Sequence, residues 1–485
     1  MADSDKRILG EGVEFGQLFR FPTILRAVSM AFGPPRLVLG LLLVLALLTA
    51  GRLWDGVTDP RVSPEGLWEF SEEEDRAALE VVLAEALATY VKDPDEWPDE
   101  PRDAIAVAEL IKTHHRQDRR DLSPESRPQA DREFSKTFTK IDDRRPRGTF
   151  EATLGHVTTE FNGVIKGLVT LRPETLFAAA SDLFVQTPRA VWGLDRLFTV
   201  LYGLILLVLV ALVGGAVARM TAVDIARGER MTMRDGINFA LNSWRRLIFS
   251  LLLPLVIAGI LCVLLIVGGW VLMHPWVDVL AGLLYGVALL IGFGVVFLMV
   301  GYGLGFSLLL PAVACENCDA ADAQQRAYAY VLSRPLHLLG YGLVGLVGLA
   351  LGYVAVSLFA QTLLLVTGAL VDSLTAGSAV AGARGFEIVL FELAPDRAHA
   401  IPFQWHSEWS AWLVSFWQRV VVCLVAAYVF VCYFGTSTII YLLMRKTCDG
   451  QDVEEIWQPG LVPGTMAPEP DAQGAGAKEK GEEEK

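Results

Sequence analysis

From Leu197 to Ala360 the chain alternates long apolar runs with short, arginine-bearing polar loops. Four runs carry the pattern: LFTVLYGLILLVLVALVGGAV, LIFSLLLPLVIAGILCVLLIVGGWVLM, LAGLLYGVALLIGFGVVFLMVGYGLGFSLLL and LHLLGYGLVGLVGLALGYVAVSLFA. A helix that crosses a bilayer needs about 20 predominantly apolar residues, and each run is at least that long. LVLGLLLVLALLTAG precedes them at 37–51 and reads as an uncleaved anchor; another run follows at about 412–444. The pattern predicts an all-α, polytopic integral membrane protein of six spans, with a helical extracytoplasmic insertion between spans one and two.

The expected divisions follow from these runs. Residues 1–36 form a cytoplasmic amphipathic segment, 37–54 the first span, and 55–195 the extracytoplasmic helical region. Residues 196–446 form a five-helix membrane core, with cytoplasmic loops at 218–246 and 314–335 and an outer loop at 372–411. Residues 447–485, rich in Pro, Gly, Ala and charge, read as a disordered acidic tail. Arg219, Arg227, Arg230, Arg234, Arg245 and Arg246 fill one loop, and Arg445 and Lys446 follow the last span. By the positive-inside rule both termini are cytoplasmic, and the expected location is a membrane of the bacterial inner type. Trp54, Trp192, Trp270, Trp276, Trp405, Trp409, Trp412 and Trp417 fall at predicted outer ends, where the indole is favoured.

Within the insertion, Ser71 and Glu74 stand at capping-box spacing before Leu79, Val82, Leu83, Ala86, Leu87 and Tyr90 at helical period. A second helix places Phe150, Leu154, Val157, Phe161, Val164, Ile165 and Leu168 on one face, and a third begins at Pro173. The charged, proline-punctuated DRRDLSPESRPQADREF between the first two reads as a loop. Two readings stay open: a small helical domain, or helices resting on the membrane core.

Three spans share one kind of lead, a short amphipathic helix with a basic end: FRFPTILRAVSMAFGPPR, MRDGINFALNSWRR and DAQQRAYAYVLSRP. Any interfacial helix needs a polar start and a basic stop. The sharper reading is a repeated unit of lead plus hairpin, and repeats place transport sites at their interfaces. LLLPAVACENCDAADAQQRAYAYVLSRPLHLLGYGLVG resembles the recurring unit of multi-pass membrane domains of the glycerophosphodiester phosphodiesterase membrane-domain type, through Pro311, Glu316, Ala327 and Arg334. The resemblance implies a membrane domain without an assigned activity, because the chain has no room for the catalytic barrel.

The net charge of −14 argues against nucleic acid as a partner, since phosphate contact needs a basic face. Cys315-Glu-Asn-Cys318 is the one metal-like spacing. With His337 and Cys448 at the same predicted membrane face, a four-ligand zinc set is conceivable; reduced interfacial cysteines are the plainer reading. His274, His399, His406 and Glu408 lie on the predicted outer side, where loop histidines are ordinarily solvated, and adjacent His114 and His115 point apart. Arg419 reads as a snorkelling residue. Gly301/Gly305 and Gly348/Gly352 are GxxxG pairs, which bring helices close. Spans two to five carry no Asp, Glu, Lys or Arg in their middles, and no nucleotide loop or hydrolase motif is present.

These observations predict a non-catalytic scaffold or accessory subunit that contacts the lipid bilayer and a membrane protein partner and needs no cofactor. The alternative is a small-solute or lipid transporter built on the repeat. A third and weaker reading is a lipid-modifying enzyme that uses the outer histidines.

Overall fold

The computed structural model describes residues 21–468 apart from 71–73, 92, 94–96, 98–103, 124–125, 272–281, 283–284 and 375–404. In chain order the helices begin with α1 (Phe21–Met30), α2 (Pro34–Val57), α3 (Glu74–Tyr90), α4 (Ala104–Asp121) and α5 (Arg127–Arg144). Next come α6 (Thr149–Val169), α7 (Pro173–Ser181), a π-helical turn (Asp182–Gln186) and α8 (Thr187–Leu194). The remainder are α9 (Arg196–Arg227), α10 (Met233–Asn242), α11 (Trp244–Val271), α12 (Tyr285–Glu316), α13 (Ala320–Ser333), α14 (Pro335–Leu374) and α15 (Trp405–Asp449). Among the described residues β pairing is limited to isolated bridges. The six expected spans are α2, α9, α11, α12, α14 and α15, each with a stretch long and apolar enough to cross a membrane. The chain is therefore a polytopic membrane protein that contacts the lipid bilayer.

The described chain forms two compact units: residues up to Leu43, Leu206–Leu349 and those from Ala427 onward; and Val44–Ile205 with Ala350–Ala426.

In the first unit, α1, α10 and α13 each stand one turn ahead of a long helix, at the three places the leads predict. Each lead buries a stripe of small residues: Ala27 and Ala31, Gly236 and Ala240, Ala323 and Ala327. Four-residue spacing sets each pair on one helix face, and small side chains there let backbones approach closely. The GxxxG glycines seat these same leads. A Cβ at Gly301 would overlap the Tyr328 ring of α13, and one at Gly305 would touch Ala327. Gly348 faces Leu25 and Val28 of α1.

In the second unit, α3, α4 and α5 close a core of Leu83, Leu87, Val107, Ile111, Phe134 and Ile141. His115 belongs to it, stacked on Phe134 with ring centroids 4.2 Å apart. The segment expected as a loop is mostly helix, since α4 runs to Asp121 and α5 starts at Arg127. Proline in the first turn of α5 costs nothing there, because that N–H has no intrahelical partner. The buried Phe134, Phe138 and Ile141 then hold the helix against its neighbours.

Asp55, near the end of α2, caps α6: its carboxylate oxygens accept from the N–H of Phe150 and of Glu151, both at 2.9 Å. Two of the free N-terminal donors of α6 are thereby satisfied, and the helix dipole favours the charge. At the far end of α6, Leu171 takes a left-handed turn (φ 55) and α7 folds back. Gly167 permits this, since a Cβ would stand 2.5 Å from the Leu176 nitrogen. Of the tryptophans expected at outer ends, Trp192, Trp270 and Trp417 are exposed, and Trp54 is half-buried with its ring 5.7 Å from that of Phe198. Trp276 and the side chains of Trp405, Trp409 and Trp412 lie outside the described residues, and Arg419 is exposed.

Candidate functional site

Charged side chains are costly inside a membrane bundle, so those buried there mark a specific arrangement. In the first unit they gather on Glu316, the last residue of α12. The helix stops because Asn317 turns into the left-handed region (φ 52), which asparagine tolerates better than most residues. Ser243 Oγ donates to Asn317 Oδ1 at 3.1 Å and Arg246 Nη1 to the Asn317 carbonyl at 3.0 Å, which fix the turn.

α13 then brings Arg326 back, with Nη1 2.7 Å from Glu316 Oε2. From α15, Tyr441 donates its hydroxyl hydrogen to Glu316 Oε1 at 2.5 Å, and Arg445 Nη1 lies 3.8 Å from the same oxygen. Tyr330 donates to Asp449 Oδ2. Arg326 and Tyr330 on α13, and Tyr441, Arg445 and Asp449 on α15, are thus two rows at four-residue spacing that meet edge to edge. Arg445 is completely buried and Glu316 nearly so.

The chain after α15 seals this cluster. Trp457 N–H donates to the Cys315 carbonyl at 2.8 Å and Gly464 N–H to the Glu316 carbonyl at 2.9 Å, satisfying carbonyls that end α12 without helical partners. Arg445 Nη2 donates to the carbonyls of Asp452 and Glu455, and Arg326 Nη2 to that of Gly464. Arg219, buried near the end of α9, donates to the carbonyls of Ala314 and Trp457, both at 2.9 Å. Its guanidinium also lies over the rings of Phe239 and Trp457.

The reading of 447–485 as disordered is therefore corrected over its first part. α15 continues to Asp449, and residues 450–468 form a strap along the end of α12. The composition misleads because Gly450, Gly460 and Gly464 supply positive-φ turns while the buried Ile456 and the half-buried Trp457 supply anchors. Residues 469–485 lie outside the described residues.

Both Glu316 oxygens are engaged, so the carboxylate serves as a lock between α12, α13 and α15 rather than as a free acid or base. Burial opposes the charge of Arg326, but Glu316, with smaller help from Tyr441, Cys318 and Tyr330, holds it above the ordinary arginine value. Burial pushes the Cys318 thiol up to about 12, and Glu316 adds to the effect.

Of the candidate metal ligands, Cys315 and Cys318 are buried at the end of α12 and just after it. His337 lies in the first turn of α14, its ring 6.4 Å from that of Tyr341, and Cys448 is half-buried in the last turn of α15. Among the described residues no three His, Cys, Asp or Glu side chains stand together as a ligand group. His274, His399 and the side chains of His406 and Glu408 lie outside the described residues.

Sequence reasoning singled out Glu316 but none of its partners. Arg445 and Arg219 read as loop arginines set by charge bias. The signal that was available is the four-residue spacing of Arg326 with Tyr330 and of Tyr441, Arg445 and Asp449. No known family model, curated protein or solved structure matches this chain.

Proposed function

We propose that this chain is a non-catalytic scaffold or accessory subunit, which docks a transmembrane helix of a partner or of a second copy against the hairpin of α11 and α12. The observation that carries the proposal is a set of glycines on this hairpin with open space where a side chain would begin. Gly259 on α11 and Gly286, Gly292, Gly294 and Gly303 on α12 have nothing among the described residues within 4 Å of where a Cβ would stand. A glycine facing lipid adds no apolar surface and weakens the helix, whereas at a helix–helix contact it lets backbones meet. Only 6% of the most apolar stretch of α12 and 17% of that of α11 is buried. Between them and α13 runs an open apolar groove of about 440 Å³, lined by Leu253, Ile257, Gly294, Phe297, Gln324 and Tyr328.

In this reading the membrane is an inner membrane of bacterial type and both termini are cytoplasmic, the arginine bias supporting the orientation. The three lead-and-span steps are copies of one unit, of the kind found in the glycerophosphodiester phosphodiesterase membrane-domain type. Their buried small-residue stripes support that equivalence. A transporter built on the repeat is the alternative, also supported by the three steps. The described middles of α9, α11 and α12 bring no Asp, Glu, Lys or Arg to serve it. Gentle-detergent purification from native membranes, with bound proteins and lipids identified by mass spectrometry, tests the choice. A stoichiometric membrane protein or a second copy supports docking; a chain that emerges alone with one enriched solute supports transport.

A further inference from the structure

The insertion between α2 and α9 contains two parts with opposite surfaces. Between Glu74 and Arg144, where α3, α4 and α5 close their own core, Val81 is the single large apolar side chain exposed among the described residues. The shorter stretch from α6 to α8 exposes Val169, Leu171, Phe177, Phe184, Val185 and Trp192. Leu171 is 85% exposed, Phe177 72% and Phe184 75%, so these are whole side chains left without cover. Scattered single apolar residues on a surface need no explanation, but a contiguous set does. Phe177 and Phe184, seven positions apart, fall on one side of the helical path.

The stretch is also fixed to spanning helices of its own unit. Asn162, buried in α6, accepts a hydrogen bond from the Tyr353 hydroxyl of α14 at 2.8 Å. The neighbouring Phe161 ring meets the Tyr353 ring edge-on at 5.4 Å. Tyr353 lies well inside the apolar stretch of α14, not at its end. At the other end, α8 passes through Asp195 directly into α9, whose Leu197, Val200, Leu201 and Leu204 are exposed. Beside Tyr353 on α14, Leu351, Leu358 and Phe359 are exposed as well. The uncovered side chains of α6–α8 therefore continue the lipid-facing surface of two spans.

We infer that the hairpin of α6, α7 and α8 is embedded in one leaflet of the bilayer, with Leu171, Phe177 and Phe184 in the acyl region, although it does not cross. The exposed Glu174 in the first turn of α7 holds that turn at the headgroup boundary, and the basic residues fit the same shallow position. Lys166, Arg172 and Arg189 are exposed and have stems long enough to return their charge to the headgroups. The π-helical turn at Asp182–Gln186 rotates the path so that Phe184 and Val185 are both exposed. The occupant of this surface is lipid, and α3–α5 form the water-facing part of the insertion.

The test uses the full chain in phosphatidylcholine/phosphatidylglycerol vesicles, carrying Cys262→Ser/Cys448→Ser with Phe177→Cys, Phe184→Cys or, as the water-facing control on α4, Thr113→Cys. Each is labelled with bimane and quenched either by iodide in the buffer or by phospholipid carrying a spin label on its acyl chain. The expected result is at least several-fold stronger quenching by the spin-labelled lipid at 177 and 184, and the reverse order at 113. Iodide quenching at 177 and 184 equal to that at 113 overturns the inference. Protection from both quenchers overturns it too, since it assigns the surface to protein contact. Because labelled variants can misfold, the unaltered chain is also irradiated with a phospholipid bearing a diazirine on its acyl chain. Adducts within 169–185 are expected, and adducts confined to the spans contradict the proposal.

Discussion

Tyr441 donates its hydroxyl hydrogen to Glu316 across 125 residues of sequence, and the two side chains meet at 2.5 Å in a fully buried setting. This bond sits beside the ion pairs of Glu316 with Arg326 and Arg445. Removing one partner of a buried pair leaves an uncompensated charge, which costs about 3–5 kcal/mol. Glu316→Ala is expected to incur a loss of that size, read as a lowered thermal midpoint and loss of trypsin resistance in detergent. Tyr441→Phe removes one neutral donor and is expected to cost about 1–2 kcal/mol. Equal effects of the two substitutions would contradict a charge-centred lock.

The strap makes a sharp truncation prediction. A chain ending at Asp449 deprives Arg219, Arg326 and Arg445 of carbonyl acceptors supplied by Trp457, Gly464, Asp452 and Glu455. A chain ending at Pro468 keeps all of them. The first is expected to melt well below the full chain and the second to match it, in the same detergent assay.

The six spans and the three leads were legible in the sequence because each carries its own evidence: an apolar run, a polar start, a basic stop. The lock was not, because it depends on which helix ends meet. Arg445 looks the same to charge counting whether it faces water or is fully buried against Glu316. Arg219 was hidden in the same way among six loop arginines. The strap was missed for a related reason: Pro and Gly content describes turns equally well in a free tail and in one held by Ile456 and Trp457. In α4 and α5 a charged surface concealed a helix pair whose core contacts, such as His115 on Phe134, come from isolated positions.

Cys318 is expected to resist alkylation through its protonation state as well as its burial. Its thiol is pushed up from 9.0 to about 12, so at pH 8 ionisation alone lowers its thiolate fraction about a thousand-fold relative to an unperturbed cysteine. Site-resolved mass spectrometry after iodoacetamide treatment should show a rate that climbs about tenfold per pH unit between pH 8 and 10. A rate that levels off near pH 9 would contradict the raised value.

Close approach at Gly40 sets a contrast with the open glycines. A Cβ at Gly40 would stand 2.8 Å from the Ala427 carbonyl oxygen and 2.7 Å from Val431 Cγ2. Backbone cannot yield there, so Gly40→Ala is expected to destabilise the chain by about 1–3 kcal/mol. Gly259→Ala, with nothing within 4 Å, is expected to leave the detergent thermal midpoint unchanged or raised.

The most direct measurement is the composition of the assembly in native membranes with and without two of the open glycines of α12. Gly286→Leu/Gly294→Leu adds bulk at two positions where a Cβ meets nothing within 4 Å among the described residues, so the chain is expected to fold and insert as before. If α11 and α12 dock a transmembrane helix, the unaltered chain purifies with a stoichiometric partner or second copy, and the double variant loses it while keeping its thermal midpoint. A single unpartnered chain in both preparations, or a partner retained by the double variant, would contradict that role.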